Sequence, residues 1–275
     1  MSHLVGRCPL CKTSDTLEIV RQEKNSLMQC SDCRLVYRHP MPTLEHYEEL
    51  GNDLEYPWYK EFDLAQFEFI RFKKTNQYFQ IQRRLKYVQR HKSSGNLLDV
   101  GCGLGFFVWE AAKCGFSATG MDTSQKAVKW AQETLHVDAR AGKLEEMNLH
   151  AGQFDIVTLW HVLEHLTDPV ETLRYLHRLI KSNGYIFVEV PNVAALEIKV
   201  KNFLSKYHLK RNPWGHFGMP EHLYEFSPAT FRRLVALAGL QIVYWTTLPR
   251  SSNPLLNLLY DRTKIGNKML FVLAK

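Results

Sequence analysis

Four cysteines near the N-terminus have the spacing of a metal site. Cys8 and Cys11 form one CxxC pair, Cys30 and Cys33 form a second, and eighteen residues separate the pairs. Two intervening residues let one tight turn direct both thiolates at a single ion, and two such turns complete a tetrahedral site. The spacing predicts a structural zinc ion with no open position, and redox chemistry of the cysteines is the alternative.

A glycine-rich turn and two acids form a second set of residues suited to chemistry. The turn at 101–105 reads GCGLG, follows the apolar segment 96–100 and precedes a predicted helix that ends near Cys114. Glycines let a ligand approach the backbone, and the start of the helix offers unpaired amide donors. Asp99 precedes the first glycine by two residues, and Asp122 follows the next predicted strand, where an acid can accept both hydroxyls of a ribose. The set predicts a cofactor that carries a ribose.

Strands and helices must position these residues. Apolar runs predict strands at 96–100, 116–121, 137–140, 154–160, 185–190, 240–247 and 269–274, with helices at 124–135, 170–180, 194–209 and 227–238. The residues Lys-Ser-Asn-Gly predict a turn at 181–184. Alternating strands and helices predict an α/β fold with a doubly wound parallel sheet. Short strands at 16–20, 26–29 and 35–37 predict a small ribbon around the cysteines.

The sequence divides into three predicted regions. Residues 1–42 form the ribbon, residues 43–94 a helical connector and residues 95–275 the catalytic domain. Apolar residues at three- to four-residue spacing between 63 and 92 predict one long helix or two shorter ones, which pack the ribbon against the catalytic domain. Tyr56 and Tyr59 make the connector a candidate lid over the cofactor.

Composition excludes a disordered chain and a membrane-spanning one. The sequence is 45% hydrophobic, which is enough to fill a core, and no run approaches about 18 consecutive apolar residues. The first residues lack the apolar segment of a signal peptide, so we expect a cytoplasmic protein with reduced thiols. After residue 192, twelve Lys and Arg residues outnumber four acids. This bias favours an anionic partner, and a solvated basic surface is the alternative.

The ordered motifs resemble those of the class I S-adenosylmethionine-dependent methyltransferases. They are LLDVGCGLGFF at 97–107, the acid Asp122, FDIVTLWHVLEHLTDP at 154–169 and GYIFVEVPN at 184–192. The resemblance implies a Rossmann-like seven-stranded sheet that binds S-adenosylmethionine. The ribbon, followed by RLVYRHPMP at 34–42, is similar to that of a bacterial subgroup near the quinone-biosynthesis O-methyltransferases and sugar methyltransferases.

The resemblance also implies which residues contact the cofactor. Asp99 and the glycine-rich turn would hold its methionine part, the residues of the turn being Gly101, Cys102, Gly103, Gly105 and the following Phe106. Asp122 would hold the ribose with Thr123 beside it, and Lys143 and Leu144 would border the adenine. Related enzymes often carry an acid in that third loop, where this chain has Gly142 and Lys143.

Residues after the strand at 154–160 are candidates for the transfer step, because open α/β sheets bind ligands beyond the carboxyl ends of their strands. They are Trp160, His161, Glu164 and His165. Positions 161, 164 and 165 share one face of a helical turn, and three functions are open. His161 can act as a general base or orient the acceptor; the cluster can bind a divalent metal with His216 or His222; or the residues can pack the fold.

The segment 193–226 is predicted to cover the acceptor. Its candidate substrate contacts are Trp214, His216, His222 and Tyr224, and an aromatic mini-core is the alternative. The leading hypothesis is O-methylation of a small molecule: a quinone precursor, a sugar nucleotide, or a polysaccharide or lipid intermediate. An RNA base methyltransferase and a non-catalytic cofactor-binding scaffold are the alternatives. Residues 1–42 carry a net charge of only +2, which argues against RNA.

Overall fold

The computed structural model describes residues 7–22, 25–42, 67–206, 222–248 and 262–275. Strands β1 to β11 span Thr16–Gln22, Asn25–Cys30, Val36–His39, Gly95–Val100, Phe116–Asp122, Asp138–Ala141, Phe154–Trp160, Ile180–Pro191, Tyr224–Glu225, Gln241–Leu248 and Lys268–Ala274. Helices α1 to α7 span Phe69–Phe72, Asn76–Gln89, Phe106–Lys113, Gln125–Trp130, Pro169–Leu179, Leu196–Lys206 and Pro228–Leu237. None of the described helices is both long enough and apolar enough to cross a bilayer.

The strands form two sheets. Seven of them lie in the order β10-β11-β8-β7-β4-β5-β6, and four lie in the order β1-β2-β3-β9. Strand β4 pairs in parallel with β5 and β7, and β5 pairs in parallel with β6. The predicted Rossmann-like α/β fold with seven strands and an N-terminal ribbon is therefore confirmed.

The chain divides into two compact units, each built from separate stretches of sequence. The first comprises Met1–Met41, His161–His177 and Val188–Leu273, and the second comprises Pro42–Trp160, Arg178–Phe187 and Ala274–Lys275. The three regions predicted from the sequence, with boundaries at residues 42 and 94, are each one continuous stretch of the chain. They remain a prediction.

The core of the second unit forms where β4 and β7 pair. Leu97 and Leu98 lie opposite Ile156 and Val157, and all four side chains are fully buried. A strand that is covered on both faces is mostly apolar, and the buried polar residues of these two, Asp99 and Thr158, hydrogen bond to each other. Ser124 begins α4 by accepting a hydrogen bond from the amide of Ala127 at 3.3 Å. This cap satisfies one of the unpaired amides of the first turn and stabilises the helix by about 1 kcal/mol.

The first unit contains the ribbon, and the ribbon sheet has a strand that the sequence did not predict. The short β9 pairs antiparallel with β3, with Tyr37 opposite Tyr224. An aromatic core follows, in which Phe226 contacts Phe231 and Phe231 stacks on Phe271 at 4.1 Å between ring centroids. The residues at 222–226, predicted as part of an acceptor lid, thus extend the ribbon.

Two predicted elements have different bounds in the structure. The turn predicted at 181–184 falls within the range of β8, which spans Ile180 to Pro191. A Cβ atom on Gly184 would lie 3.0 Å from the amide nitrogen of Lys181 and 3.1 Å from the carbonyl oxygen of Asp155, so the chain folds back at this glycine as the predicted turn requires. The helix predicted over 124–135 consists of α4 and a π-helical turn over Ala131–Leu135.

Candidate active site

The glycine-rich turn lies in the second unit, between β4 and α3. The amides of Gly101 and Cys102 both donate to the carbonyl oxygen of Met121, at 2.8 and 2.9 Å. Gly105 begins α3 with φ 73°, a conformation that L side chains rarely adopt, and a Cβ atom there would lie 3.0 Å from the Cβ of Ala131. The backbone therefore fixes the turn, and glycine is required at its end.

Asp122 organises the same turn from the end of β5. One carboxylate oxygen accepts a hydrogen bond from the amide of Gly103 at 2.8 Å, and the other accepts one from Ser124 at 2.9 Å. Burial raises the pKa of Asp122, against the opposing effect of these backbone hydrogen bonds. A carboxylate can accept about four hydrogen bonds, so the partly exposed Asp122 keeps capacity for ribose hydroxyls.

Asp99 is a buried acid at the end of β4. Its side chain accepts a hydrogen bond from the hydroxyl of Thr158 at 2.6 Å. Burial raises the pKa of Asp99 to about 7, although the Thr158 hydrogen bond and the positive charge of Arg84 both lower it. A cation bound nearby would favour the ionised form.

Arg84 is a cation of this region that the sequence analysis missed. It lies on α2, and its guanidinium carbon is 5.0 Å from the ring centroid of Trp160. The indole nitrogen of Trp160 is buried and has no hydrogen-bond partner among the described residues. The spacing of the apolar residues between 63 and 92 predicted a helix but did not indicate Arg84. The apolar pattern of one helix does not show which of its polar residues contacts a distant strand.

A cluster of acids and histidines follows β7, in the first unit. The two ring nitrogens of His161 lie 3.1 Å from an oxygen of Glu164 and 3.0 Å from an oxygen of Glu189. Both carboxyl groups are completely buried. Burial raises the pKa of Glu164, but the hydrogen bond from His161 and the charges of the neighbouring histidines outweigh it, so the pKa lies below its usual value.

Two further histidines complete this cluster. The rings of His165 and His222 meet edge to face at 5.0 Å between centroids, and His222 pairs with Glu225 at 2.9 Å. One ligand atom each from Glu164, His165 and His222 lie within 4.8 Å of one another. The cluster thus brings together residues that lie nearly sixty positions apart in sequence, and the metal-site interpretation stays open beside the acid-base one.

A profile of the family described as "Methyltransferase domain" matches residues 72–244, which is more than half of the chain. The chain belongs to this methyltransferase family. Ubiquinone biosynthesis O-methyltransferases from Thiobacillus denitrificans and Aromatoleum aromaticum are 30% and 31% identical to it, over 58% and 62% of this chain and 70% and 75% of their own lengths. A third, from Caulobacter vibrioides, is 33% identical over 47% of this chain and 56% of its own length.

Solved structures agree with the methyltransferase fold. Magnesium protoporphyrin IX methyltransferase from Synechocystis PCC 6803, determined with bound SAH, has a TM-score of 0.58 at 17% identity, covering 85% of this chain and 100% of that one. An S-adenosylmethionine-dependent methyltransferase from Mesorhizobium loti has a TM-score of 0.52 at 16% identity, covering 71% of this chain and 98% of that one. The family and fold together make this chain an S-adenosylmethionine-dependent methyltransferase.

The other predicted cofactor residues of the methyltransferase occupy different surroundings. Phe106 is buried and stacks on Phe72 at 4.1 Å, which is a packing position. Burial raises the pKa of the Cys102 thiol well above its usual value, which disfavours the thiolate form. Thr123 is exposed beside Asp122, and the half-exposed Lys143 precedes the buried Leu144 at a short 3-10 turn.

The predicted substrate residues of the methyltransferase also differ from one another. Tyr224 is 3% exposed, and its hydroxyl donates to the carbonyl oxygen of Thr167 at 2.9 Å, so it occupies the packing position that was the alternative. His222 retains partial exposure. Trp214 and His216 lie outside the described residues, as do Tyr56 and Tyr59.

The four ribbon cysteines of the methyltransferase come together. The sulfur atoms of Cys8 and Cys33 lie 3.5 Å apart, those of Cys11 and Cys30 lie 3.4 Å apart, and all four lie within 4.8 Å of one another. Zinc–sulfur bonds of about 2.3 Å place the sulfurs of a tetrahedral site about 3.8 Å apart, so the four residues fit such an ion. Burial raises the pKa of Cys8 to about 11, and a bound cation would be needed to ionise this thiol near neutral pH.

Proposed function

We propose that this enzyme methylates a hydroxyl group of a small molecule. The observation that carries the proposal is the buried cluster of His161, Glu164 and His165 directly after β7, because a hydroxyl acceptor needs a group that orients it and takes its proton. The names of the relatives, which are ubiquinone biosynthesis O-methyltransferases, support the same acceptor chemistry. A quinone precursor is therefore the first acceptor class to test, followed by sugar nucleotides and polysaccharide or lipid intermediates.

Three groups of the second unit support cofactor binding. Asp122 would accept hydrogen bonds from the ribose hydroxyls, and Asp99 would pair with the amino group of the methionine part. Arg84, whose charge acts on Asp99, would bind the carboxylate of the same methionine part. When bound, S-adenosylmethionine supplies an activated methyl group, so the residues of the chain have only to align the acceptor and manage its proton.

We further propose that Cys8, Cys11, Cys30 and Cys33 bind one structural zinc ion. Four thiolates leave no open position for a substrate, so the ion stabilises the ribbon and takes no part in methyl transfer. Metal analysis of the purified protein should give one zinc per chain, and Cys30→Ser should abolish that zinc. One zinc per chain in the Cys30→Ser variant would contradict this assignment.

The proposed zinc site needs reduced thiols, and reduced thiols support a cytoplasmic location. Cell fractionation can check this location.

Methyl transfer with labelled cofactor tests the proposed activity. The purified enzyme is given S-adenosylmethionine with a labelled methyl group and, separately, catechol, a nucleotide sugar or total cellular RNA. We expect label in catechol or the nucleotide sugar, and much less label with Asp122→Ala when the cofactor concentration is kept below saturation. The matched control is Asp138→Ala, which removes an exposed carboxylate of β6. Label that appears only in RNA and is released by nuclease would overturn the proposal in favour of an RNA methyltransferase.

A further inference from the structure

Strand β9 lies between the ribbon and the segment 161–168, which carries the cluster of acids and histidines. On one side β9 pairs with β3 of the ribbon, with Tyr37 opposite Tyr224. The amide of Arg38 in β3 also donates to the carbonyl oxygen of Leu223 at 2.9 Å. The ribbon, β9 and the segment 161–168 all belong to the first unit. Backbone hydrogen bonds therefore extend from the ribbon to the neighbourhood of the cluster.

On its other side, the β9 region holds the segment 161–168 at two points. The amide of Leu223 donates to the carbonyl oxygen of Glu164 at 2.8 Å. The hydroxyl of Tyr224 donates to the carbonyl oxygen of Thr167 at 2.9 Å. Both Leu223 and Tyr224 are buried, so a lost hydrogen bond here is not replaced by one to water. Leu223 is the direct link, because its carbonyl oxygen accepts from the ribbon and its amide donates to Glu164.

The same stretch of chain orients His222, a member of the cluster. The Nδ1 atom of His222 lies 2.9 Å from a carboxylate oxygen of Glu225. Glu225 is buried and lies opposite Val36 of β3. The ring of His222 in turn meets the ring of His165 edge to face. The position of the His222 ring therefore depends on β3 as well as on the neighbours of His222 in sequence.

The cysteine cluster fixes the position of β3. Cys30 ends β2, and the turn at 30–33 leads the chain towards β3. The amide of Cys30 donates to the carbonyl oxygen of Leu35 at 2.9 Å, and the carbonyl oxygen of Cys30 accepts from the amide of Arg34 at 3.1 Å. Small modules with four cysteine ligands are held together by their metal ion rather than by a large core. Ligation of the cysteines is thus the restraint on the start of β3.

We propose that the ribbon is a positioning element of the acceptor site, in which the four cysteines fix β3, β3 fixes β9, and β9 holds the segment 161–168. Tyr224 is the positioning residue at the end of this series, since it contacts the backbone of Thr167. The inference rests on the proposed O-methylation and zinc ion and deepens both. Loss of the metal should lower turnover without weakening the binding of S-adenosylmethionine, whose proposed contacts lie in the second unit.

The sequence analysis placed the ribbon outside the catalytic domain. The spacing of two CxxC pairs predicts a metal site, but it gives no indication of a strand near residue 224. Only the pairing of β3 with β9 connects the two regions.

Hydrogen exchange tests the inference without any turnover. Exchange with deuterium is followed in the zinc-loaded protein, after a chelator has removed the metal, and after zinc has been added back. We expect the amides of Leu223 and of 161–168 to exchange at least about tenfold faster without the metal and to recover with zinc. The amide of Leu98, in β4 of the second unit, is the internal control and should keep its rate. Unchanged exchange at Leu223 and across 161–168 would overturn the inference.

Turnover with catechol tests the consequence for the acceptor site. Cys33→Ser should lower kcat about tenfold to a hundredfold, while the Kd for S-adenosylmethionine stays within about twofold. Cys114→Ser, which removes a cysteine outside the ribbon, is the matched control. Tyr224→Phe removes only the hydroxyl and should lower kcat about threefold to tenfold, whereas Tyr185→Phe in β8 should not. Wild-type kcat in both Cys33→Ser and Tyr224→Phe would overturn the inference.

Tyr224→Phe also decides the outcome if removal of the metal unfolds the whole chain. In that case Leu98 exchanges faster as well, but Tyr224→Phe removes one hydrogen bond and leaves every cysteine in place. Faster exchange across 161–168 in this variant, with Leu98 unchanged, would support the inference. Cofactor affinity that falls as much as kcat in Tyr224→Phe would indicate a general loss of structure and would overturn it.

Two outcomes separate failure of the inference from failure of the proposed function. If the wild type labels neither catechol nor the nucleotide sugar, while exchange at Leu223 responds to the metal, small-molecule O-methylation is rejected and the link from the ribbon is retained. If catechol is labelled at the same rate with and without the metal, O-methylation is retained and the inference is rejected.

Discussion

Two buried acids of this methyltransferase have pKa values shifted in opposite directions. Asp99, in the second unit, is 1% exposed, and burial raises its pKa to about 7. Glu164, in the first unit, is 0% exposed, and its pKa lies below the usual value although burial acts on it in the same direction. The difference lies in the partners: Asp99 has a hydroxyl at hydrogen-bond distance, whereas Glu164 has a histidine ring. Inaccessibility to water therefore does not predict the charge of an acid.

This comparison assigns different work to the two sites. Among the described residues, Asp99 has a hydroxyl and no cation at hydrogen-bond distance, and our proposal that it pairs with the amino group of the cofactor rests on this. Glu164 already has a histidine ring at hydrogen-bond distance within the fold, and this hydrogen bond lowers its pKa without any ligand.

The largest expected effect comes from removing the histidine ring beside Glu164. His161→Leu leaves two buried carboxyl groups without the ring that both of them contact and should destabilise the protein by about 3 to 5 kcal/mol at pH 8. The loss should be smaller at pH 5, because without His161 burial dominates and Glu164 takes up a proton as the pH falls. Urea unfolding at both pH values measures the effect. His150→Leu, at an exposed histidine, is the control, and equal losses at pH 5 and pH 8 would contradict the explanation.

A second prediction concerns Asp99, whose pKa is raised to about 7. The folded state holds this proton between about pH 4 and pH 7 while the unfolded state does not, so wild-type stability falls as the pH rises through that range. Asp99→Asn should remove this fall and be more stable than the wild type at pH 8 by about 2 to 4 kcal/mol. Urea unfolding without cofactor at pH 5 and pH 8 tests it. Glu133→Gln, which removes an exposed acid, should show the same pH dependence of the free energy of unfolding as the wild type.

A third prediction, with a smaller expected effect, concerns the affinity for S-adenosylmethionine when Asp122 is replaced. It tests whether this acid binds the cofactor or only supports the fold. Asp122→Ala should weaken S-adenosylmethionine binding by about 1.5 to 3 kcal/mol, roughly tenfold to a hundredfold, because charge-assisted hydrogen bonds are lost. Calorimetric titration measures the Kd, with Asp138→Ala on the adjacent strand as the control. If both variants bind the cofactor as the wild type does, the ribose assignment fails.

The smallest expected effect comes from an exposed ion pair. Lys129 and Glu133 lie 3.8 Å apart, with 73% and 66% of their side chains exposed. Solvent screens such a pair, so Lys129→Ala should change the free energy of unfolding by at most about 0.5 kcal/mol. Thermal unfolding at low and high salt provides the measurement. If Lys129→Ala lost as much free energy of unfolding as His161→Leu, burial would not explain the difference between the two positions.

Local patterns determined a large part of this fold. The largely apolar segment 154–160 predicted β7 with its observed bounds, because a strand buried on both faces needs mostly apolar residues. The two CxxC pairs predicted the cysteine cluster, and the glycines at 101–105 predicted a turn that only glycine can complete. In each case the residues that cause the structure lie within a few positions of one another or carry a spacing that only one geometry satisfies.

The tertiary structure decided which distant residues meet. Strand β9 is two residues long and carries no periodicity of its own, so only its pairing with β3 defines it. Glu189 and Lys268 belong to strands that read as ordinary sheet, yet they place two charges beside His161. The sequence by itself determined the fold class, the cysteine site and the cofactor turn. Only the tertiary structure determined the surroundings of Glu164 and so the direction of its pKa shift, because the energy of a buried charge depends on which groups surround it.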